Sequence, residues 1–319
     1  MKNDRDVFTI RRGVGCRKFT LRGCLLGLAA FVLLAAIGGY VLMGQAAAPK
    51  NSSFEIDLSK IRQLAMESPG ELPIRLNAVV VGEGSYPQAL VMAGSGLTPR
   101  KMIFAAYQLV YEDQTVVIDS TLPQADYEKM FPGGPFDTEG YDSIQKALRK
   151  SSLILLTHNH VDHIMGITRS PDAVTLIPKV LFTNEQLDDA STDVGMSDAL
   201  LSLAKPVTYE NYYSPAPGVV LLKSPGHSPG DQLIYVRLQD GSEFLLTGDV
   251  VWSNENITHA TGRPLLFRWL VQEDWQKNGS EIRALHDLAE KETIRMLVSH
   301  DGPQLEEYIH QGLIGDGFE

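Results

Sequence analysis

The chain has 319 residues, 44% of them hydrophobic and 21% charged, with two cysteines and a formal charge of −11. Such a composition supplies a full hydrophobic core and excludes a largely disordered protein. Residues 1–50 carry eight Lys/Arg against two acids, which leaves twenty basic and thirty-seven acidic residues beyond them; so acidic a body repels phosphate backbones and speaks against a nucleic-acid partner.

Residues 1–23 form a basic head. The run CLLGLAAFVLLAAIGGYVLM, Cys24 to Met43, then continues for twenty residues without a charge, the length of one transmembrane helix. The basic flank predicts a cytoplasmic head, with the rest of the chain outside, periplasmic or extracellular. GQAAAP after the apolar run also offers a cleavage site, in which case the body is secreted. The apolar run exceeds the ~7–15 residues of a signal peptide, which favours an uncleaved anchor. Both cysteines, Cys16 and Cys24, lie in this leader, so a metal site in the body must use nitrogen and oxygen ligands.

Residues 44–71 read as a linker with a short helix opening near Asp57 and closed by Pro69-Gly70, and residues 72–319 as a single catalytic-sized domain. Strand patterns follow in PIRLNAVVVG, QALVMAG and KMIFAAYQLVYE, the last turning at EDQ into an antiparallel neighbour, TVVID. YDSIQKALRKS has a helical apolar face through Ile144, Ala147 and Leu148. SLILLT is a buried strand. KVLFT (179–183) is strand-like, EQLDDA and SDALLSLA are helical, and GVVLLK runs into a Gly/Pro loop around His227. LIYVRLQDGSEFLLTGD predicts a hairpin turning at Asp-Gly. Helices over PLLFRWLVQ and SEIRALHDLAEK, a strand over IRMLVSH and a helical tail over PQLEEYIHQGLI complete the body. The alternation predicts an α/β sandwich, two layers of sheet with helices outside.

Polar residues recur where these strands end: Asp119 in VVIDST, then His158, His160, Asp162 and His163 in THNHVDHIMG, His227 in SPGHSPGD, Asp249 in LLTGD and His300 in LVSHDG. Five of the eight histidines sit at such positions. A lone strand-end histidine is usually structural; a set of five with three aspartates indicates a metal site. Alternate residues of an extended segment face one way, so His158 and His160 can meet one ion, while Asp162 and His163 lie where the chain turns and can face a second. Imidazole and carboxylate ligands suit Zn²⁺ first, with iron, cobalt or manganese as further candidates.

H-x-H-x-D-H after a buried strand, then G-H-S-P-G, T-G-D and S-H in that order, resembles the metallo-β-lactamase superfamily, over roughly residues 73–302. The resemblance implies a four-layer αββα sandwich with two divalent metal ions at one edge of the sheets. One ion would take His158, His160 and His227, the other Asp162, His163 and His300, with Asp249 bridging. Asp119 would support the ligand loop without binding metal. A bridging aspartate counts against a β-lactamase proper, histidine at 160 against the flavin-linked di-iron members, and the acidic body against the nucleic-acid-processing branch.

Among small-molecule hydrolases the chain looks most similar to N-acyl homoserine lactone lactonases, with departures: IDST replaces I-D-x-G, IMG replaces x-G-G, and Trp252 stands where a substrate-binding tyrosine is usual. The resemblance thus implies hydrolysis of an ester or lactone by a metal-bridging hydroxide, with Asp162 orienting the nucleophile and Trp252 either contacting substrate or packing. Ile164, Met165, Phe182, Trp252 and Phe267 are candidates for an acyl pocket or for the core. Three other readings stay open: a glyoxalase II-like thioesterase, a mononuclear iron persulfide dioxygenase, and a non-catalytic metal-binding or sensor domain.

Overall fold

The computed structural model describes residues 21–44, 46–188 and 194–319, with side chains from residue 28 onward. Most of the basic head, residues 1–20, lies outside the described residues. The expected span Cys24–Met43 falls within a helix, Leu21–Met43. Among the described residues, however, no helix is long and apolar enough to cross a membrane. The described residues through Val41 belong to one unit and Leu42–Glu319 form another.

Ten strands of the second unit make two five-stranded mixed sheets. β1 (Arg75–Pro87), β2 (Pro99–Val110), β3 (Thr115–Ile118), β4 (Leu153–Leu155) and β10 (Gly315–Asp316) form one, in the order β10-β1-β2-β3-β4. β5 (Tyr212–Ala216), β6 (Val219–Lys223), β7 (Gln232–Arg237), β8 (Glu243–Leu246) and β9 (Arg295–Leu297) form the other, in sequence order. In each sheet hairpin-connected strands pair antiparallel, while the crossovers β3 to β4 and β8 to β9 pair parallel, as does β10 with β1. Those parallel edges bring the ends of β3, β4, β8 and β9 toward one rim, where the strand-end polar residues lie.

Period-two alternation explains the layering. Leu76, Ala78, Ile103, Ala105, Tyr107 and Leu109 of the first sheet face Val219, Leu221, Ile234, Val236 and Phe244 of the second, forming the central core. The intervening Val79, Val81, Phe104 and Ala106 turn outward against helix Thr138–Lys150, through Ile144, Ala147 and Leu148, and helix Val161–Thr168, through Ile164 and Ile167. On the far side Val220, Leu222, Leu233, Tyr235 and Leu245 pack on helices Leu58–Glu67 and Trp275–Lys291. The layers therefore run helix, sheet, sheet, helix, as expected.

Three local expectations change. QALV (88–91) is a helical turn instead of a strand, because β1 runs on to Pro87 and pairs with Pro99 across it. KVLFT contributes only isolated bridges, Val180 to Ile154 and Thr183 to Val207, since Pro178 draws Ile177–Lys179 into a 3₁₀ turn. The stretch read as linker is packed: Ile61 and Ala65 are fully buried, and Ala47 bridges to Thr261. Helix Leu58–Glu67 opens at Asp57, whose side chain accepts from the Lys60 N–H.

Candidate metal centre

The site is built outward from Asp119, which ends β3 in a left-handed conformation, φ 59°. One carboxylate oxygen accepts from Thr157 N at 2.8 Å; the other accepts from Thr157 Oγ1 at 2.8 Å and His163 Nδ1 at 2.9 Å. This buried aspartate thereby bonds both ends of the loop from β4 to helix Val161–Thr168. The helix is held against the same turn by Ser120 N donating to His163 O at 2.7 Å and Gly166 N to Thr121 O at 2.9 Å.

Three ligand candidates have Nδ1 occupied from behind and present Nε2 to the rim. His163 donates to Asp119, His300 to Ile103 O at 2.8 Å, and His227 to Glu273 Oε1 at 2.9 Å. Such partners select the tautomer and orient the ring. Asp249 lies at the middle of the group: its carboxylate oxygens are 3.1 Å from His300 Nε2, 3.4 Å from His163 Nε2, 3.7 Å from His227 Nε2 and 3.8 Å from His158 Nε2. Asp162 Oδ2 is 3.4 Å from His300 Nε2 and 3.6 Å from His163 Nε2. His160, capping its helix, places Nδ1 3.0 Å from His227 Nε2.

The side chains sort into two groups, His158, His160 and His227, and Asp162, His163, Asp249 and His300, the ligand atoms of each lying within 4.8 Å of one another. These two groups hold the same seven residues that the family resemblance distributes over two ions.

Burial, then the neighbouring histidines, holds the His158 and His227 imidazoles well below their ordinary value, so both are neutral and able to ligate. At His163 burial also lowers proton affinity, but Asp162, Asp119 and Asp249 outweigh it and the net shift is upward. Burial alone would raise Asp249; His300, His163 and His158 hold it well below the usual carboxylate range. His158 Nε2, His163 Nε2 and Asp249 Oδ1 are buried without a hydrogen-bond partner. Each such atom costs ~1–3 kcal/mol, and all three face one another, so the donor set fits a cation that would satisfy them together.

The profile of the Metallo-beta-lactamase superfamily matches residues 105–294. The chain belongs to that superfamily. Among curated relatives, the N-acyl homoserine lactonase AiiA of Bacillus thuringiensis subsp. kurstaki is 28% identical over 181 residues, 51% of this chain and 70% of that protein. The DNA cross-link repair protein SNM1 of Arabidopsis thaliana is 31% identical over 159 residues, 50% of this chain but 30% of that one. The solved structure of an N-acyl homoserine lactone hydrolase, with product N-hexanoyl-L-homoserine at its catalytic metal centre, superposes with a TM-score of 0.58 at 20% identity, covering 74% of this chain and 96% of that one. At this identity the likeness speaks to the superfamily fold.

Within this superfamily member five of the metal-ligand candidates, His160, Asp162, His227, Asp249 and His300, floor a cavity of about 270 Å³. Its walls are Tyr86, Met102, Phe104, Met130, Val161, Trp252 and the segment Leu270–Gln272. Of the residues considered for an acyl pocket, only Trp252 is on the wall. Ile164, Met165 and Phe182 are buried in the helix-facing core, and Phe267 packs behind Trp252 with ring centroids 5.3 Å apart.

Trp252 lines that wall with its indole N–H donating to Asp249 Oδ2 at 2.8 Å, so the N–H steadies a ligand candidate while the ring stays on the cavity surface. Sequence reasoning missed the pair beneath it. Arg263, 2% exposed, donates to Glu273, the partner of His227, and to Asp249 O at 2.8 Å. Its guanidinium also lies 4.7 Å from the Trp252 ring centre. No periodic signal marks Arg263 or Glu273, and their flanks, HATGRP and VQEDWQK, give no local hint of burial.

Proposed function

We propose that this chain is a hydrolase of a neutral, small-molecule ester or lactone. It would hold two divalent cations, zinc foremost, one at His158, His160 and His227 and one at Asp162, His163 and His300, with Asp249 shared. The observation that carries this reading is the cavity wall: around the metal-ligand candidates the lining is mostly aromatic and aliphatic and, among the described residues, contains no Lys or Arg. A glutathione thioester or a phosphodiester brings negative charge and would find no cationic side chain there. A neutral acyl group would find Met102, Phe104, Val161, Trp252 and Leu270. The likeness to N-acyl homoserine lactonases supports a lactone as the bond cleaved.

When bound, the cations would supply Lewis acidity and water of lowered pKa. The chain's own residues set the geometry of attack. Asp162, on the cavity wall with its side chain 12% exposed, accepts a hydrogen bond from the attacking water and orients its lone pair. Asp249 Oδ2 is held by Trp252 Nε1 and His300 Nε2. The cavity's apolar wall excludes bulk water from the reacting carbonyl.

Tethering to a membrane through residues 24–43, with the catalytic body outside the cytoplasm, is the second part of the proposal and rests on the sequence. Carbonate extraction of the expressed full chain tests it, and release into the soluble fraction would remove the anchor.

The enzymatic reading is tested by metal content and substrate choice together. Mass spectrometry is expected to find near two divalent ions per chain. Turnover of neutral N-acyl lactones or p-nitrophenyl esters should be abolished by chelator and exceed that of S-lactoylglutathione and bis(p-nitrophenyl) phosphate by at least ~10-fold. Thioester-only turnover, a single iron with oxygen uptake, or an inert metal-free protein would each overturn it.

A further inference from the structure

An acyl oxygen that gains negative charge beside Asp162 and Asp249 needs hydrogen-bond donors, and the cavity wall offers few. Apart from the ligand imidazoles, its side-chain donors are the Trp252 indole, the Gln272 amide and the Tyr86 phenol. The indole N–H is committed to Asp249. Gln272 follows the rim helix Leu265–Leu270 in a left-handed conformation, φ 59°, with no packed ring to orient its amide. Tyr86 is differently placed.

Tyr86 lies near the end of β1, in register with Arg100 of β2. Its ring stacks on Trp252, with centroids 6.4 Å apart and planes at 21°, and is met by Phe131 at 5.5 Å and Phe267 at 6.4 Å. Three aromatic side chains thus fix its direction, while its hydroxyl makes no hydrogen bond among the described residues. Burial, and then the charge of Asp162, raises the phenol above its ordinary value, so it remains a donor through the neutral range.

We infer that Tyr86 is a catalytic residue whose hydroxyl donates a hydrogen bond to the acyl oxygen of the substrate and strengthens it as that oxygen becomes an oxyanion. The inference rests on the ester or lactone reading above. The phenol keeps its proton throughout. The water oxygen adds to the acyl carbon, the ester C–O bond breaks, and the leaving oxygen takes up the proton that water gives up.

Tyr86→Phe removes the hydroxyl and keeps the ring stack. On the best neutral lactone or ester of the wild-type enzyme, kcat is expected to fall ~100-fold while KM changes less than ~3-fold. Metal content and melting temperature should match wild type, separating lost chemistry from lost structure. Tyr86→Leu, which removes the stack as well, is expected to lose the same factor in kcat and to raise KM in addition. A Tyr86→Phe enzyme with kcat within twofold of wild type, or one changed only in KM, would reduce Tyr86 to a wall residue and leave the hydrolase reading intact. Wild-type protein that cleaves neither class of substrate would remove that reading, and the role of Tyr86 with it.

Discussion

His227 shows how much of the site depends on single side chains set behind the ligands. Its Nδ1 faces Glu273 at 2.9 Å, and Glu273 is in turn bonded by the buried Arg263. Replacing Glu273 by Gln keeps a polar partner but removes the charge that fixes the tautomer; metal retention in chelator competition should weaken ~10–100-fold with folding preserved. Glu273→Ala leaves Arg263 buried and unpaired, which costs ~3–5 kcal/mol, and should appear as a large fall in melting temperature.

A second buried acid nearby makes stability depend on pH. Glu281, 1% exposed, presses its carboxylate toward Gly226: a Cβ on that glycine would lie 2.2 Å from Glu281 Oε2. Burial pushes this carboxyl up to about 8 from 4.5. The folded protein therefore binds a proton that the unfolded chain has released, so stability is full below about 4.5 and declines as pH rises to about 8, then levels. Glu281→Gln should flatten that decline, the melting-temperature gap over wild type widening from pH 5 to 8. Each tenfold difference in proton affinity corresponds to ~1.4 kcal/mol. Equal slopes for the two proteins would contradict this.

At the scale of elements, the site is a contact between the turn after β3 and the helix after β4. Asp119 and Thr121 both adopt positive φ, 59° and 58°, so the turn doubles back and meets helix Val161–Thr168 at Gly166. A Cβ there would stand 2.0 Å from Ser120 O and 2.8 Å from its carbonyl carbon, both backbone atoms that cannot swing aside. Gly166→Ala is expected to destabilise by ~1–3 kcal/mol and to shift Asp162 and His163, which share that helix, so metal content should fall along with melting temperature. A stable variant with full metal content would show that the turn can yield.

The loop bearing His227 is held in the same way. Gly230 leaves no room beside Gln186, whose backbone N would be 2.8 Å from a Cβ. Gln186 Nε2 also bonds Gly230 O at 3.1 Å. The Gly/Pro composition of SPGHSPGD thus serves close approach as well as stiffness.

At the scale of the molecule, buried imidazoles and carboxylates from both sheets converge at one rim. Their unsatisfied atoms make the apo-protein the less stable form, and a cation bound only by the folded state stabilises it by mass action. Stripping metal with chelator should lower the melting temperature and abolish hydrolysis, and Zn²⁺ should restore both. Unchanged melting would mean that the cluster is satisfied without metal. The acidic body repels phosphate polymers, and among the described residues no Lys or Arg lines the cavity, so both features favour the neutral substrate proposed above.

The ligand candidates could be picked out because they cluster at or just beyond the ends of apolar strands, and spacing within THNHVDHIMG and after GVVLLK, FLL and RML is a local property of the chain. The sandwich was legible for the same reason: period two and period 3.6 are written in neighbouring residues. Where local pattern and tertiary pairing disagreed, pairing prevailed, as at QALV, which reads as a strand and bends into a helical turn inside a long hairpin. Only the folded structure decided what stands behind and above the ligands. Glu273 reaches His227 across 46 residues of sequence, Tyr86 enters the wall from β1, and Trp252 turns its N–H to Asp249 instead of the cavity. Such contacts join distant segments and obey no period, so sequence by itself names the residues that could bind metal, and packing selects those that orient them and shape the space for substrate.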